Sequence, residues 1–186
     1  MTHKAPIISV FGSSQVPAGS PAYEEARSLG RLLAEAGLTV CSGGYGGTME
    51  AVSRGAKEAG GTTIGVTTAW FAHLHANAWI DKEVRTATFP ERLQTLIETG
   101  QGYLAMQGGI GTLTEISMVW SMLQTQSIPA RPFVLLSNPW QQLMQFCTGA
   151  LIIRPSDFSY LQLASTPEDA IRALTQSLPK RDTGLS

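Results

Sequence analysis

Charge is scarce in this chain. Lys and Arg number 13 and Asp and Glu 14 among 186 residues, 15% together, for a formal net charge of −1. A balance so near neutral excludes a broad nucleic-acid footprint or a basic membrane surface, while leaving room for a local basic pocket. Lysine is rarer still. Lys4, Lys57, Lys82 and Lys180 are the only ones, and none sits in a glycine- or serine-rich context, which argues against a Schiff-base cofactor enzyme. The two cysteines, Cys41 and Cys147, lie far apart with no metal-type spacing, so both are expected as buried free thiols. His73 and His75 have no further ligands at readable spacing, and no metal site is expected. A G-x-S-x-G elbow is missing, which removes support for hydrolase chemistry of that type. No apolar run is long enough to span a bilayer. Met1–Pro6 passes straight into strand-like Ile7–Phe11 without the apolar stretch and small-residue cleavage site of a signal peptide, so a cytoplasmic location is expected.

What is present is apolar and periodic. Hydrophobic residues make up 43% of the chain, enough for one well-buried core, and the expectation is a single domain over 1–186 with an ordered core of about 6–178 and a frayed tail over Lys180–Ser186. Short apolar runs at Ile7–Phe11, Leu38–Cys41, Thr62–Val66, Glu83–Thr86, Gly102–Met106, Phe133–Leu136 and, weakly, Tyr160–Ala164 read as strands covered on both faces. Helical patterns separate them. Ser20-Pro21 opens the first, and Gly37 ends it; the next runs from about Thr48 to Ala59. Thr88-Phe-Pro-Glu91 fits a capping box, as does Thr112-Leu-Thr-Glu115, and Asn138-Pro139 and Thr166-Pro167 open the last two. Strand–helix alternation of this kind predicts an α/β, Rossmann-like doubly wound parallel sheet with helices on both faces, and ligands beyond the carboxyl ends of its strands.

Two glycine-rich turns occupy that position. Ser42-Gly-Gly-Tyr-Gly-Gly47 follows one strand and Gln107-Gly-Gly-Ile-Gly-Thr-Leu-Thr-Glu115 another, and each opens a helix. Glycine lets the backbone come close to a ligand, and a helix start offers unpaired N–H groups to an anion. Gly108, Gly109, Ile110, Gly111 and Thr112 form the stronger phosphate candidate. Gly43, Gly44, Gly46 and Gly47, with the polar turn Gly12-Ser13-Ser14, fit either nucleotide binding or tight turns. Glu115 has two readings that exclude each other in one conformation: a structural cap for Thr112, or a catalytic carboxylate. Arg92 taken alone reads as a solvated residue near a helix start. The irregular stretch Thr67–Lys82, with Trp70, Phe71, His73, His75 and Trp79, fits a site cover or a subunit contact.

With these pieces placed, the chain resembles the Lonely Guy family, cytokinin riboside 5′-monophosphate phosphoribohydrolases often mislabelled lysine decarboxylases. The likeness runs from Val10-Phe-Gly-Ser-Ser14 through Pro21–Ala26, Leu29–Ala34, the Ser42–Gly47 loop and Gly60–Val66. The family signature P-G-G-x-G-T-x-x-E stands here as Gln107–Glu115, with Gln107 in place of proline. Its M-x-x-R-K motif corresponds to Phe89–Leu93, with Leu93 in place of lysine. The resemblance implies hydrolysis of the N-glycosidic bond of a nucleoside 5′-monophosphate to free base and ribose 5-phosphate. It implies Arg92 and Glu115 as catalytic residues, Gly108–Thr112 as the phosphate grip, no cofactor and a homodimer. Leu93 removes a cation that would help hold substrate, which keeps a second expectation in view: a non-catalytic binding protein of the same fold, similar to molybdenum-cofactor carriers.

Overall fold

The computed structural model describes residues 5–178; the expected tail over residues 180–186 and Lys4 lie outside them. Seven strands form one all-parallel sheet: β1 (Ile7–Phe11), β2 (Thr39–Ser42), β3 (Thr63–Thr68), β4 (Lys82–Thr86), β5 (Gly102–Ala105), β6 (Phe133–Leu136) and β7 (Gln162–Ala164). Their order is β4-β3-β2-β1-β5-β6-β7. Six helices connect them: α1 (Pro21–Glu35), α2 (Thr48–Glu58), α3 (Phe89–Thr99), α4 (Ile110–Gln124), α5 (Asn138–Ala150) and α6 (Pro167–Ser177). Two short 3-10 turns, Ala69–Phe71 and Pro155–Tyr160, complete the connections.

The alternation of side chains along each strand distributes the core to the two sheet faces. Ile8, Val10, Leu104, Met106, Val134 and Leu136 meet α1, α2 and α6. Phe11, Tyr103, Ala105, Phe133 and Leu135 meet α3, α4 and α5. Continuous apolar runs such as Phe133-Val-Leu-Leu136 are buried throughout, as two-sided coverage requires. Cys41 and Cys147 are free and buried; burial pushes the Cys41 thiol up to about 12, which leaves it inert as a nucleophile.

Local starts follow the sequence at α1, α3 and α6. The hydroxyls of Ser20, Thr88 and Thr166 accept from the backbone N–H of Tyr23, Glu91 and Asp169. The Thr112 expectation fails. Helix α4 begins three residues earlier than that cap requires, at Ile110, with Gly109 at the cap position and no side chain bonded to its first turn. Thr112 is therefore inside the helix and Glu115 is released from a capping role.

The sheet supplies the site's location. From β1 the chain proceeds outward through β2, β3 and β4, then crosses back to place β5 on the other side of β1. The connections leaving β1 and β5 diverge, which opens a crevice at their carboxyl ends. No helix among the described residues is long and apolar enough to cross a membrane.

Candidate functional site

The two glycine turns look alike in sequence and differ in structure. The first is a hub of internal bonds. The Gly43 carbonyl accepts from Arg92 Nη2 at 3.1 Å. The Gly44 carbonyl accepts from the backbone N–H of Asn77 at 2.8 Å and from its Nδ2 at 3.1 Å. That same Nδ2 reaches the Tyr45 carbonyl at 2.9 Å. The first N–H of α2, on Thr48, is taken by the Ser13 carbonyl at 2.9 Å. Gly47 holds φ +66 with its Cα against the Ser13–Ser14 backbone, so a side chain there meets both strain and a clash. The groups of Gly12–Ser14 and Gly43–Gly47 are thus brought together, largely against one another; Ser14 is exposed, and Gly46 is the least enclosed glycine of the second stretch.

The second turn is open. Leu113 N–H to Gly109 O, 3.0 Å, is the first bond of α4, so the N–H groups of Ile110, Gly111 and Thr112 precede the ladder and no side chain caps them. No atom lies where a Cβ on Gly109 or Gly111 would stand. Neither residue has positive φ, so neither turn geometry nor packing demands glycine there; access to the N–H groups is what glycine preserves. Trp140 of α5 fixes the approach to this turn by donating from Nε1 to the Met106 carbonyl at 2.9 Å. Replacing Gly109 by Ala is expected to leave thermal stability within about 0.5 kcal/mol while weakening phosphate binding severalfold, measured by unfolding and by titration with ribose 5-phosphate.

Arg92 is not solvated. It is 6% exposed; Nε donates to the Val66 carbonyl at 2.7 Å, and its guanidinium lies 5.4 Å from the Tyr45 ring centroid. Nη1 makes no hydrogen bond to the described residues. Burial lowers the Arg92 pKa, and the negative charge of Glu115 opposes that shift. Glu115, one helical turn beyond the open N–H groups, is part-buried and accepts no hydrogen bond from the described residues. Desolvation raises its carboxyl from 4.5 to about 7, against the pull of Arg92. The two charges interact without forming an ion pair within 4 Å. An arginine with one free edge and a carboxyl poised near neutrality, both beside an uncapped helix start, can stabilise a developing cation, orient hydroxyls or activate water.

Leu93 faces the core rather than the site. It is 6% exposed and belongs to the cluster with Phe11, Cys41, Leu96 and Ile97. A lysine at this position would place an ammonium among apolar side chains. Leu93→Lys is expected to cost about 3 kcal/mol of stability, seen as a lower urea midpoint, instead of restoring a substrate contact.

A cleft of about 570 Å³ opens at the switch point between the β1–α1 and β5–α4 connections, with Ser13, Thr48, Gly108 and Gly109 in its walls. Sequence reasoning missed Gln15, Ser20, Glu25 and Gln107, which also line it; only the divergence of the two connections assembles them. The Thr67–Lys82 stretch is bound to the first turn through Asn77 and through Phe71, whose ring meets Tyr45 at 5.9 Å. His73 and His75 are exposed on it, and among the described residues no group of His, Cys, Asp and Glu is placed to hold a metal.

Comparison with known proteins places this geometry among relatives. The model of the SLOG cluster4 family matches residues 5–137. A protein of Mycobacterium tuberculosis named cytokinin riboside 5′-monophosphate phosphoribohydrolase is 29% identical over 174 residues, covering 86% of this chain and 91% of that protein. The solved molybdenum cofactor binding protein of Rippkaea orientalis superposes with a TM-score of 0.76 at 26% identity, covering 94% of this chain and 98% of the other. The molybdenum cofactor carrier protein of Chlamydomonas reinhardtii gives 0.71 at 25% identity, with 93% and 98% covered.

Proposed function

This chain belongs to the SLOG cluster4 family, of the Lonely Guy type, and we propose that it hydrolyses the N-glycosidic bond of a nucleoside 5′-monophosphate to free base and ribose 5-phosphate. The observation that carries the reading is Glu115: an unpartnered, part-buried carboxyl one turn from an uncapped, glycine-flanked helix start. Gly108–Thr112 receive the 5′-phosphate at the positive end of α4. Binding energy gathered there, away from the bond that breaks, positions the ribose. The departing base leaves an oxocarbenium-like centre, which ionised Glu115 stabilises while orienting water for attack. Water adds at C1′, the C1′–N pair leaves with the base, and the base takes up a proton. Arg92, through its free edge, holds phosphate or polarises the base. Gly12–Ser14 and Gly43–Gly47 serve this account as the wall that fixes Arg92 and the crevice.

A homodimer is part of the proposal. On the outer face of α4, Ile110, 80% exposed, stands with Leu113, Met118 and Met122 among the small polar residues Thr114, Ser117 and Ser121, and Glu115 lies on the flank of that face. A second copy covering it would close the site. Ser121→Arg is expected to convert a dimer into a monomer by light scattering; an unchanged mass places any dimer elsewhere.

The experiment for the main reading is base release from AMP and other nucleoside 5′-monophosphates, with adenosine as the control. Release that requires the 5′-phosphate is expected; none from any monophosphate rejects the hydrolase. Likeness to molybdenum-cofactor carriers favours a second reading as a binding protein. That reading predicts ligand binding without turnover.

A further inference from the structure

The cleft at the switch point lies on the α1 side of the sheet, whereas Arg92 and Glu115 belong to the α3–α4 side; Gly108 and Gly109 border the cleft at the start of α4. Its walls bear the amides of Gln15 and Gln107, the hydroxyls of Ser13 and Ser20, the Glu25 carboxylate and apolar Met106. No lysine or arginine lines it. Resting on the reading of Gly108–Thr112 as the phosphate seat, the geometry points to a ligand with two arms: we propose that the cleft takes a sugar or nucleoside joined through that phosphate, so that the preferred substrates are phosphate-extended nucleotides.

The argument is one of fit and of sign. For Glu115 to act, the ribose that loses its base must extend from the phosphate toward α3. A simple monophosphate then leaves about 570 Å³ empty on the other side of the same glycines, a volume within the range of small-ligand pockets. The carboxylate of Glu25 and the absence of any cation disfavour a bare anion there. Hydroxyl groups suit it: they donate to Glu25 and exchange bonds with both glutamine amides. Gln107, where the signature has proline, places its amide in this cleft and gives the far arm a contact that proline lacks.

The test is calorimetric titration with AMP, ribose 5-phosphate and ADP-ribose of the parent protein, Ala22→Trp and Glu25→Gln, each checked for a native melt. Ala22 lines the cleft at the first turn of α1, where tryptophan fills space without touching Arg92 or Glu115. The parent is expected to bind ADP-ribose at least tenfold more tightly than AMP. Ala22→Trp abolishes that advantage and leaves AMP unchanged, and Glu25→Gln reduces it without adding bulk. ADP-ribose binding no tighter than AMP, or an advantage that survives both variants, overturns the proposal while the phosphate seat stands. Failure of all three ligands to bind overturns the seat itself and the proposal with it.

Discussion

Glu115→Gln is expected to lower base release from AMP by about a thousandfold and to make the folded protein more stable above neutral pH. The first effect follows from removing the charge that meets the oxocarbenium-like centre, in the range seen when one preorganised electrostatic group is lost. The second follows from linkage. The Glu115 carboxyl has its folded pKa raised from 4.5 to about 7, so between those values the folded state binds the extra proton. Its contribution to stability is fully present below about pH 4.5 and is lost as pH rises through about 7. Ionising it in the fold costs up to about 3 kcal/mol more than in the unfolded chain, reduced by the water its partial exposure admits. A neutral amide escapes that cost. Melting at pH 8 and at pH 4.5 distinguishes the cases: a higher melting temperature only at pH 8 is expected, and equal shifts at both contradict it. A carboxylate kept at a cost to stability and without a partner is what a site, rather than a cap, requires.

Arg92→Ala is expected to destabilise by about 3 kcal/mol or more and to shift the pH dependence of turnover upward. The guanidinium donates to the Val66 and Gly43 carbonyls, and charged hydrogen bonds of this kind are worth about 1.5–3 kcal/mol each. Its removal also opens a space beside Tyr45. Because the Arg92 charge holds the Glu115 carboxyl down, its loss lets that pKa climb. Urea unfolding and the rate profile report the two effects separately. Arg92→Lys keeps the charge with one fewer anchored donor, so it is expected to restore the profile more fully than the stability. A profile unmoved in Arg92→Ala would remove the coupling between the two residues.

Much of the fold was legible because parallel strands buried on both faces are short apolar runs. All seven expected strands are present, with ends within two residues; Thr88 caps its helix as the spacing indicates, and the helices expected to open at Ser20 and Thr166 do so. The candidate site was legible by motif and illegible by role. Thr112-Leu-Thr-Glu115 satisfies the capping-box spacing, yet Gly109 starts the helix first. The two glycine turns read alike; what separates them is Asn77 and Arg92, 33 and 49 residues away from the carbonyls they bind. Leu93 adjoins Arg92, and both side chains are buried, but only tertiary packing decides that one meets apolar neighbours and the other backbone oxygens.

The most direct measurement is the pH profile of kcat/KM for base release from AMP, from pH 5 to 9. Ionised Glu115 as the active form predicts a rise through about pH 7 to a plateau, with that limb gone in the residual activity of Glu115→Gln. A profile flat across this range in the parent, or one whose limb persists in the variant, would contradict a catalytic role for the Glu115 carboxylate.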